Sequence, residues 1–331
     1  MASQSYNRDI MEVFVTRRIP EIGIEKLREE HEVEVSDKPR NLSKEEIIES
    51  VKGKDAVLCL LTDMMDEEII KAGEDLKVIS NYAVGYDNID VEAATERGIA
   101  VTNTPGVLTE ATAEIAWALM MSVARNVVNG DEFVREDRFE GWDPTLMLGH
   151  ELHGKTLGIV GMGNIGSKVA EMSQGFDMEV IYYNKSRNED IEEKIGAEFV
   201  ELDELLSRSD FVSLHVPLTD KTEGMIGKEE LELMSYDSYL INTARGEVVD
   251  EDALVETLKE GGIAGAGIDV YADEPHGANP DYYDLDNVVL TPHLGSASHK
   301  AREGMAVMAA ENILSILEGK EPENIVNPEV L

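Results

Sequence analysis

Two signatures alternate along the chain. Short apolar, β-branched runs read as strands: EVFV (Glu12 to Val15), EVEV (Glu32 to Val35), AVLCLL (Ala56 to Leu61), KVISN (Lys77 to Asn81) and AVTN (Ala100 to Asn103). Helix-like stretches separate them. Ser43 to Val51 opens on Ser43 with Glu46 three positions on, the spacing of a capping box. Val91 to Arg97 stops at Gly98, where a left-handed residue ends a helix cheaply. This alternation predicts a doubly wound α/β unit. A second unit begins near residue 154, with strands LGIV (Leu157 to Val160), EVIYY (Glu179 to Tyr183), FVSLHV (Phe211 to Val216), SYLIN (Ser238 to Asn242), GAGIDV (Gly265 to Val270) and NVVLT (Asn287 to Thr291). Most are apolar throughout, as strands covered on both faces are. An Ala-rich helix over about Ala111 to Arg125 is expected to link the units. The last helix, over about Lys300 to Leu317, is expected to pack back on the first.

Composition narrows the class. A chain of 331 residues with 42% hydrophobic positions has the length of two domains and enough apolar side chains for their cores. No apolar run could span a bilayer, and MASQSYNRDIMEVFVTRR has no apolar leader, so a cytoplasmic protein is expected. Cys59, alone in a strand-like run, reads as a buried, inert thiol. Charge is the unusual property: 68 acidic against 29 basic residues, a net of −39. Such a surface repels nucleic acid and anionic membranes. The acids are spread along the chain, so they form a solvated shell on a folded protein rather than a disordered tail.

The chemistry begins at GKTLGIVGMGNIGSKVAEM. Gly161, Gly163 and Gly166 have the G-x-G-x-x-G spacing between an apolar strand and a helix. Gly161 permits the tight turn, Gly163 lets a pyrophosphate approach the backbone, and Gly166 lets helix and strand pack closely. The helix start favours the anion. A dinucleotide site is therefore expected. The acid that ends the following strand in NAD sites is absent; Asn184, Lys185, Ser186 and Arg187 stand there instead. Lys185, Ser186 and Arg187 suit the 2′-phosphate of NADP(H), while NAD(H) stays possible with Asn184 on its ribose. The run from Gly149 to Thr156 matches a phosphate-loop pattern by letters only, because a Pro144-containing loop precedes it and a strand follows. No metal site is expected.

Three polar residues follow later strands: Arg245 after SYLINTA, Glu274 after GAGIDVYAD and His293 after NVVLTP. Open α/β sheets place their chemistry at such carboxyl ends. An arginine fork can grip a carboxylate, a histidine can exchange a proton near neutral pH, and a carboxylate beside the histidine fixes its tautomer. Reduction of a 2-keto acid needs these functions. A surface Arg, a loop Glu and a structurally satisfied His remain the plainer alternatives.

The words NYAVGYDNIDVEAATERGIAVTNTPG, GKTLGIVGMGNIG, HVPLT, INTARGEVVDEDAL, GAGIDVYADEP and TPHLGSAS cover nearly the whole chain. By them it resembles the D-isomer-specific 2-hydroxyacid dehydrogenase family, and within it the archaeal-type glyoxylate and hydroxypyruvate reductases. The resemblance implies a Rossmann-type dinucleotide-binding domain, residues 104–295, inserted into a flavodoxin-like substrate domain, residues 1–103 plus 296–331. It implies Arg245, Glu274 and His293 as catalytic residues, with Arg245 on the substrate carboxylate and His293 as proton donor. The backbone amides of Val84 and Gly85 would cradle the carboxylate. Cofactor contacts would come from Thr109, Met162, Asn164, Ile165, Pro217, Thr243, Ala244, Arg245, Asp269 on the nicotinamide carboxamide, His293, Leu294 and Gly295, besides the glycines and the loop already named. The family is usually dimeric, and Trp117 and Trp142 lie where such contacts, or ordinary core packing, would fall.

Two departures matter. Leu146 or Met147 stands where some relatives place a Trp that enters the neighbour's site, which weakens an expectation of hydroxypyruvate preference. No regulatory domain is expected after the last helix, against the long form of phosphoglycerate dehydrogenase. D-lactate or 3-phosphoglycerate dehydrogenase activity, or a non-catalytic NAD(P)(H)-sensing binding protein, are the competing functions. The acidic shell fits a salt-rich cytoplasm, where screening relieves self-repulsion. The midpoint of thermal unfolding is therefore expected to rise between dilute buffer and molar KCl; equal stability at both would refute the adaptation.

Overall fold

A computed structural model of the protein describes residues 10–274 and 276–331. The first nine residues, on which most of the leader reading rests, and Pro275 lie outside the described residues. The chain divides into two compact units: one runs to Leu108 and resumes at Ser298, the other is Thr109–Ala297. The division expected at 103/104 and 295/296 lies a few residues before each of these points.

In the first unit, β1 (Glu12–Val15), β2 (Glu32–Val35), β3 (Ala56–Leu60), β4 (Val78–Tyr82) and β5 (Ala100–Thr102) form one parallel sheet in the order β2-β1-β3-β4-β5. This is the flavodoxin-like winding. β4 is buried along its whole length, whereas the edge strand β2 is partly exposed and carries Glu32 and Glu34, which discourage pairing with another chain. Ser43 caps the helix Lys44–Val51 and Glu46 bonds back to the Ser43 amide, completing the capping box. The helix His299–Leu317 packs on this sheet: Ser80 donates to the Ala309 carbonyl at 3.1 Å and the Tyr82 hydroxyl to that of Arg302 at 2.6 Å. Gly23 on helix Glu21–Arg28 lies so near it that a Cβ would stand 2.5 Å from the Ala306 oxygen. Cys59 is buried, and burial pushes its thiol well above its usual pKa.

The second unit holds β6 (Thr156–Val160), β7 (Glu179–Tyr183), β8 (Glu198–Phe199), β9 (Phe211–Leu214), β10 (Tyr239–Asn242), β11 (Gly265–Ile268) and β12 (Val288–Leu290). All pair in parallel in the order β12-β11-β10-β9-β6-β7-β8, the Rossmann winding with one further strand beyond β11. Several strands are shorter than the apolar runs: β9 stops at Leu214 and β11 at Ile268, because the residues beyond turn into loops. β8, two residues long, gives no periodicity to read. The helix Thr109–Ala124 belongs to this unit. It lies close enough to β11 that a Cβ on Gly267 would stand 2.8 Å from the Leu119 Cβ. Trp117 is buried here, stacked on Phe176 at 4.9 Å with its indole N–H on the Val169 carbonyl, so it is core and cannot serve a contact with a second chain. Trp142 is 84% exposed.

The surface charge is organised around its few cations, several of which bridge two acids. Lys44 meets Asp66 and Glu68, Lys54 meets Glu12 and Glu34, and Arg208 meets Glu198 and Glu204. Lys155 of the phosphate-loop look-alike is paired with Asp210 at 3.0 Å, and Thr156 beside it enters β6, not a helix. Among the described residues no helix is long and apolar enough to cross a membrane, and no group of three or more His, Cys, Asp or Glu could hold a metal ion.

Candidate active site

The strand order of the second unit reverses between β6 and β9, and the glycine turn lies there. Gly161, at φ +100°, stands against the loop after β9: a Cβ would lie 2.7 Å from the His215 carbonyl carbon. Gly166 faces the turn from the first turn of helix Asn164–Met172, with a would-be Cβ 2.1 Å from the Gly161 oxygen. Gly163, the residue before that helix, has nothing within 4 Å of such a Cβ. Two of the three glycines are thus demanded by packing within the chain. The third keeps open space at a helix start, which fits a dinucleotide pyrophosphate. Met162 is buried, with its carbonyl held by the Asn188 amide at 3.1 Å; Asn164 is exposed and Ile165 partly so.

Beyond β7, a cleft of about 430 Å³ is lined by Met162, Asn184, Ser186, Arg187, Asn188, Glu189 and Asp190. This alters the expectation for the 2′-phosphate. Ser186 and Arg187 line the cleft, but Lys185 does not, and Glu189 and Asp190 bring in negative charge. The Arg187 guanidinium lies on Glu192, at 3.0 Å through Nε and 2.5 Å through Nη2. Asn184 donates to the Ser186 carbonyl at 2.9 Å, which closes the loop. Pro217 is exposed and its carbonyl accepts from Thr222.

Arg245, Glu274 and His293 stand on the loops past three neighbouring strands, β10, β11 and β12. The Asn242 side chain brackets the first loop, accepting from the Ala244 amide at 3.0 Å and donating to the Arg245 carbonyl at 2.8 Å. The Arg245 guanidinium donates to the Ala244 carbonyl at 2.8 Å. Thr243 is buried, and its hydroxyl has no partner among the described residues, an orphaned polar atom that a ligand would satisfy. Gly246 presses on the second loop, with a would-be Cβ 1.9 Å from the Tyr271 carbonyl carbon. Tyr271 ties the second loop to the third by donating to the Thr291 carbonyl at 2.8 Å. His293 Nδ1 is hydrogen-bonded to Glu274 Oε1, both side chains about four-fifths sheltered.

His293 has φ +52°, a left-handed conformation uncommon for a residue with a Cβ. Asp269 holds it there. The Asp269 carbonyl accepts the His293 amide at 2.9 Å. Its fully buried carboxylate accepts from Thr291 Oγ1 at 2.5 Å, the Leu294 amide at 2.7 Å and the Gly295 amide at 2.8 Å. Burial still holds its pKa above the usual value despite those donors. Oδ2, which accepts the Gly295 amide, keeps capacity for a further donor. Thr109, partly exposed, opens the helix Thr109–Ala124.

Val84 and Gly85 lie past β4 in the first unit. The Ala83 carbonyl accepts the Thr104 amide, and the Val84 carbonyl accepts the Asn103 side chain, each at 2.8 Å. In a trans peptide the N–H points opposite the carbonyl, so these anchors aim the Val84 and Gly85 amides to the other side. Neither Asn103, Asn242, Thr291, Asn188 nor Glu192 stood out in the sequence. Only Asn188 left a local signal, an Asn before an acidic helix start that ends at Gly196.

The D-isomer specific 2-hydroxyacid dehydrogenase NAD binding domain model matches residues 117–295. A glyoxylate reductase of Thermococcus litoralis is 51% identical over 323 residues, 96% of this chain and 97% of that one. A glyoxylate reductase of Korarchaeum cryptofilum is 52% identical over 96% of each chain. The chain belongs to the D-isomer specific 2-hydroxyacid dehydrogenase family. The crystal structure of a protein of Thermus thermophilus superposes with a TM-score of 0.90 at 45% identity, over 96% of this dehydrogenase and 100% of that chain.

One titrating group beside the glycine turn gives a pH signature. Burial pushes the His215 imidazole, which contacts Ser213 Oγ at 2.8 Å, down to about 3. Between its ordinary value near 6.5 and 3 the unfolded chain binds a proton that the folded chain refuses, so stability is lost as pH falls through this window. His215→Gln is expected to flatten the dependence of unfolding free energy on pH between 6 and 4 by up to about 1.4 kcal/mol per pH unit. Denaturant titrations of both proteins with parallel pH profiles would contradict this.

Proposed function

We propose that this dehydrogenase reduces a small 2-keto acid, glyoxylate foremost and hydroxypyruvate second, to the 2-hydroxy acid. The observation that carries the reading is the His293–Glu274 contact on a loop fixed by Asp269, beside the loop of Arg245. The glyoxylate reductase relatives supply the substrate. The Gly161–Gly166 turn would hold a reduced nicotinamide dinucleotide, which would supply the hydride. Glu274 accepts from His293 Nδ1–H, so the proton given to the keto oxygen is the Nε2 proton of the doubly protonated ring, which is left neutral and still bonded to Glu274. Arg245 holds the substrate carboxylate and polarises the keto group, stabilising charge that develops on its oxygen. In the other unit, the aimed amides of Val84 and Gly85 are backbone donors of the kind that suits a carboxylate. Asp269 Oδ2 orients the carboxamide, and the Thr243 hydroxyl gains a partner.

In this reading Thr109–Ala297 is the dinucleotide domain, and the unit that ends at Leu108 and resumes at Ser298 is the substrate domain. NADP(H) is favoured through Ser186 and Arg187, with NAD(H) also accepted, and the setting is the cytoplasm. A homodimer accounts for the helix Val127–Arg135, which buries none of its residues, and for the arm after it. Val134, Phe139, Trp142 and Leu148 are each more than half exposed there, on a chain otherwise rich in surface acids.

His293→Ala is expected to lower kcat for glyoxylate by roughly a hundredfold or more, and Arg245→Lys to act mainly on KM. Undiminished turnover in His293→Ala would remove the assignment. Light scattering is expected to give twice the chain mass for the parent and the single-chain mass for a Phe139→Ser, Trp142→Ser double variant. A parent that is monomeric at micromolar concentration would overturn the dimer.

A further inference from the structure

We infer that Glu192 weakens the preference for NADP(H) by competing with a 2′-phosphate for the Arg187 guanidinium. The inference rests on the reading of the cleft beyond β7 as the adenosine end of the cofactor site. Arg187 lines that cleft, yet two of its donors are committed to Glu192 in a bidentate grip. Glu192 is the fixed member of the pair. Its side chain is 17% exposed against 61% for Arg187, and the hydroxyl of the buried Tyr182 donates to it at 2.5 Å. Tyr182 is in turn pinned, because its oxygen accepts the Asn188 amide at 2.8 Å. The arginine is therefore the side chain free to swing, and it must leave a carboxylate to grip a phosphate with the same fork. The Arg187 guanidinium first, and then the Tyr182 hydroxyl, hold the Glu192 carboxyl below its usual range, so it stays charged at neutral pH. With Glu189 and Asp190 already lining the cleft, Glu192 both occupies the one cation that lines it and adds to the charge a dianionic phosphate meets. A plain ribose needs no such exchange, so the competition penalises NADP(H) alone.

The test is fluorescence titration of NADPH and NADH into the parent, E192Q, E189Q and the E192Q/R187A double variant. Glutamine keeps an acceptor for Tyr182 and removes the charge. E192Q is expected to tighten NADPH roughly tenfold relative to NADH, with NADH affinity unchanged as the control for folding. E189Q, which changes the same charge without touching Arg187, is expected to do far less, and R187A to cancel the gain. An unchanged or weakened NADPH preference in E192Q would overturn the inference, as would an equal effect of E189Q. If the parent binds neither dinucleotide, the cofactor site itself is misassigned and the inference falls with it; if it binds both and only the ratio fails to move, the inference alone falls.

Discussion

The carboxylate of Asp269, fully buried just past β11, fixes the segment that carries His293. A buried charge is costly unless its lone pairs are satisfied. Here Thr291, Leu294 and Gly295 satisfy them, all from the loop after β12, while the Asp269 carbonyl takes the His293 amide. Four hydrogen bonds from one residue thus over-determine five residues of loop. They hold His293 in the left-handed region that an unsupported residue with a Cβ would leave. The contact with Glu274 depends on this, since the imidazole can reach that carboxylate only while its backbone is held.

The neighbouring loops obey the same logic. Parallel strands end together at one edge of the sheet, and the chain must leave each strand there without stranding its polar groups. Asn242 does this for the Arg245 loop, Tyr271 for the Glu274 loop and Asp269 for the His293 loop. Gly246 closes the gap between the first two, where no side chain fits. Arg245, Glu274 and His293 therefore stand on loops whose supports are other buried polar side chains, one per loop.

Outside the site, charge is managed rather than neutralised. With 68 acids to 29 basic residues, pairing one to one is impossible. Cations such as Lys44, Lys54 and Arg208 therefore each serve two carboxylates. Arg187 shows the same scarcity, because the cation that lines the cleft beyond β7 is already gripped by an internal acid, Glu192.

By itself the sequence determined the winding of both units. Runs such as AVLCLL and FVSLHV can be stable only as strands covered on two faces, and the stretches between them are periodic as helices, so alternation dictates parallel sheets. It also marked Gly161, Gly163 and Gly166, and it put Arg245, Glu274 and His293 at strand ends, because these signals are local. The tertiary structure decided what depends on partners distant in the chain. Trp117 became core because Phe176 stacks on it, and Lys185 was left outside the cleft that Ser186 and Arg187 line. Arg187 grips Glu192, a carboxylate held in turn by a tyrosine on β7. The supports Asn103, Asn242 and Thr291 carry no pattern at all, since a hydrogen bond made across 22 residues, as from Thr291 to Asp269, leaves no periodicity to read. Strand order brings such pairs together, and only the folded chain shows which of them meet.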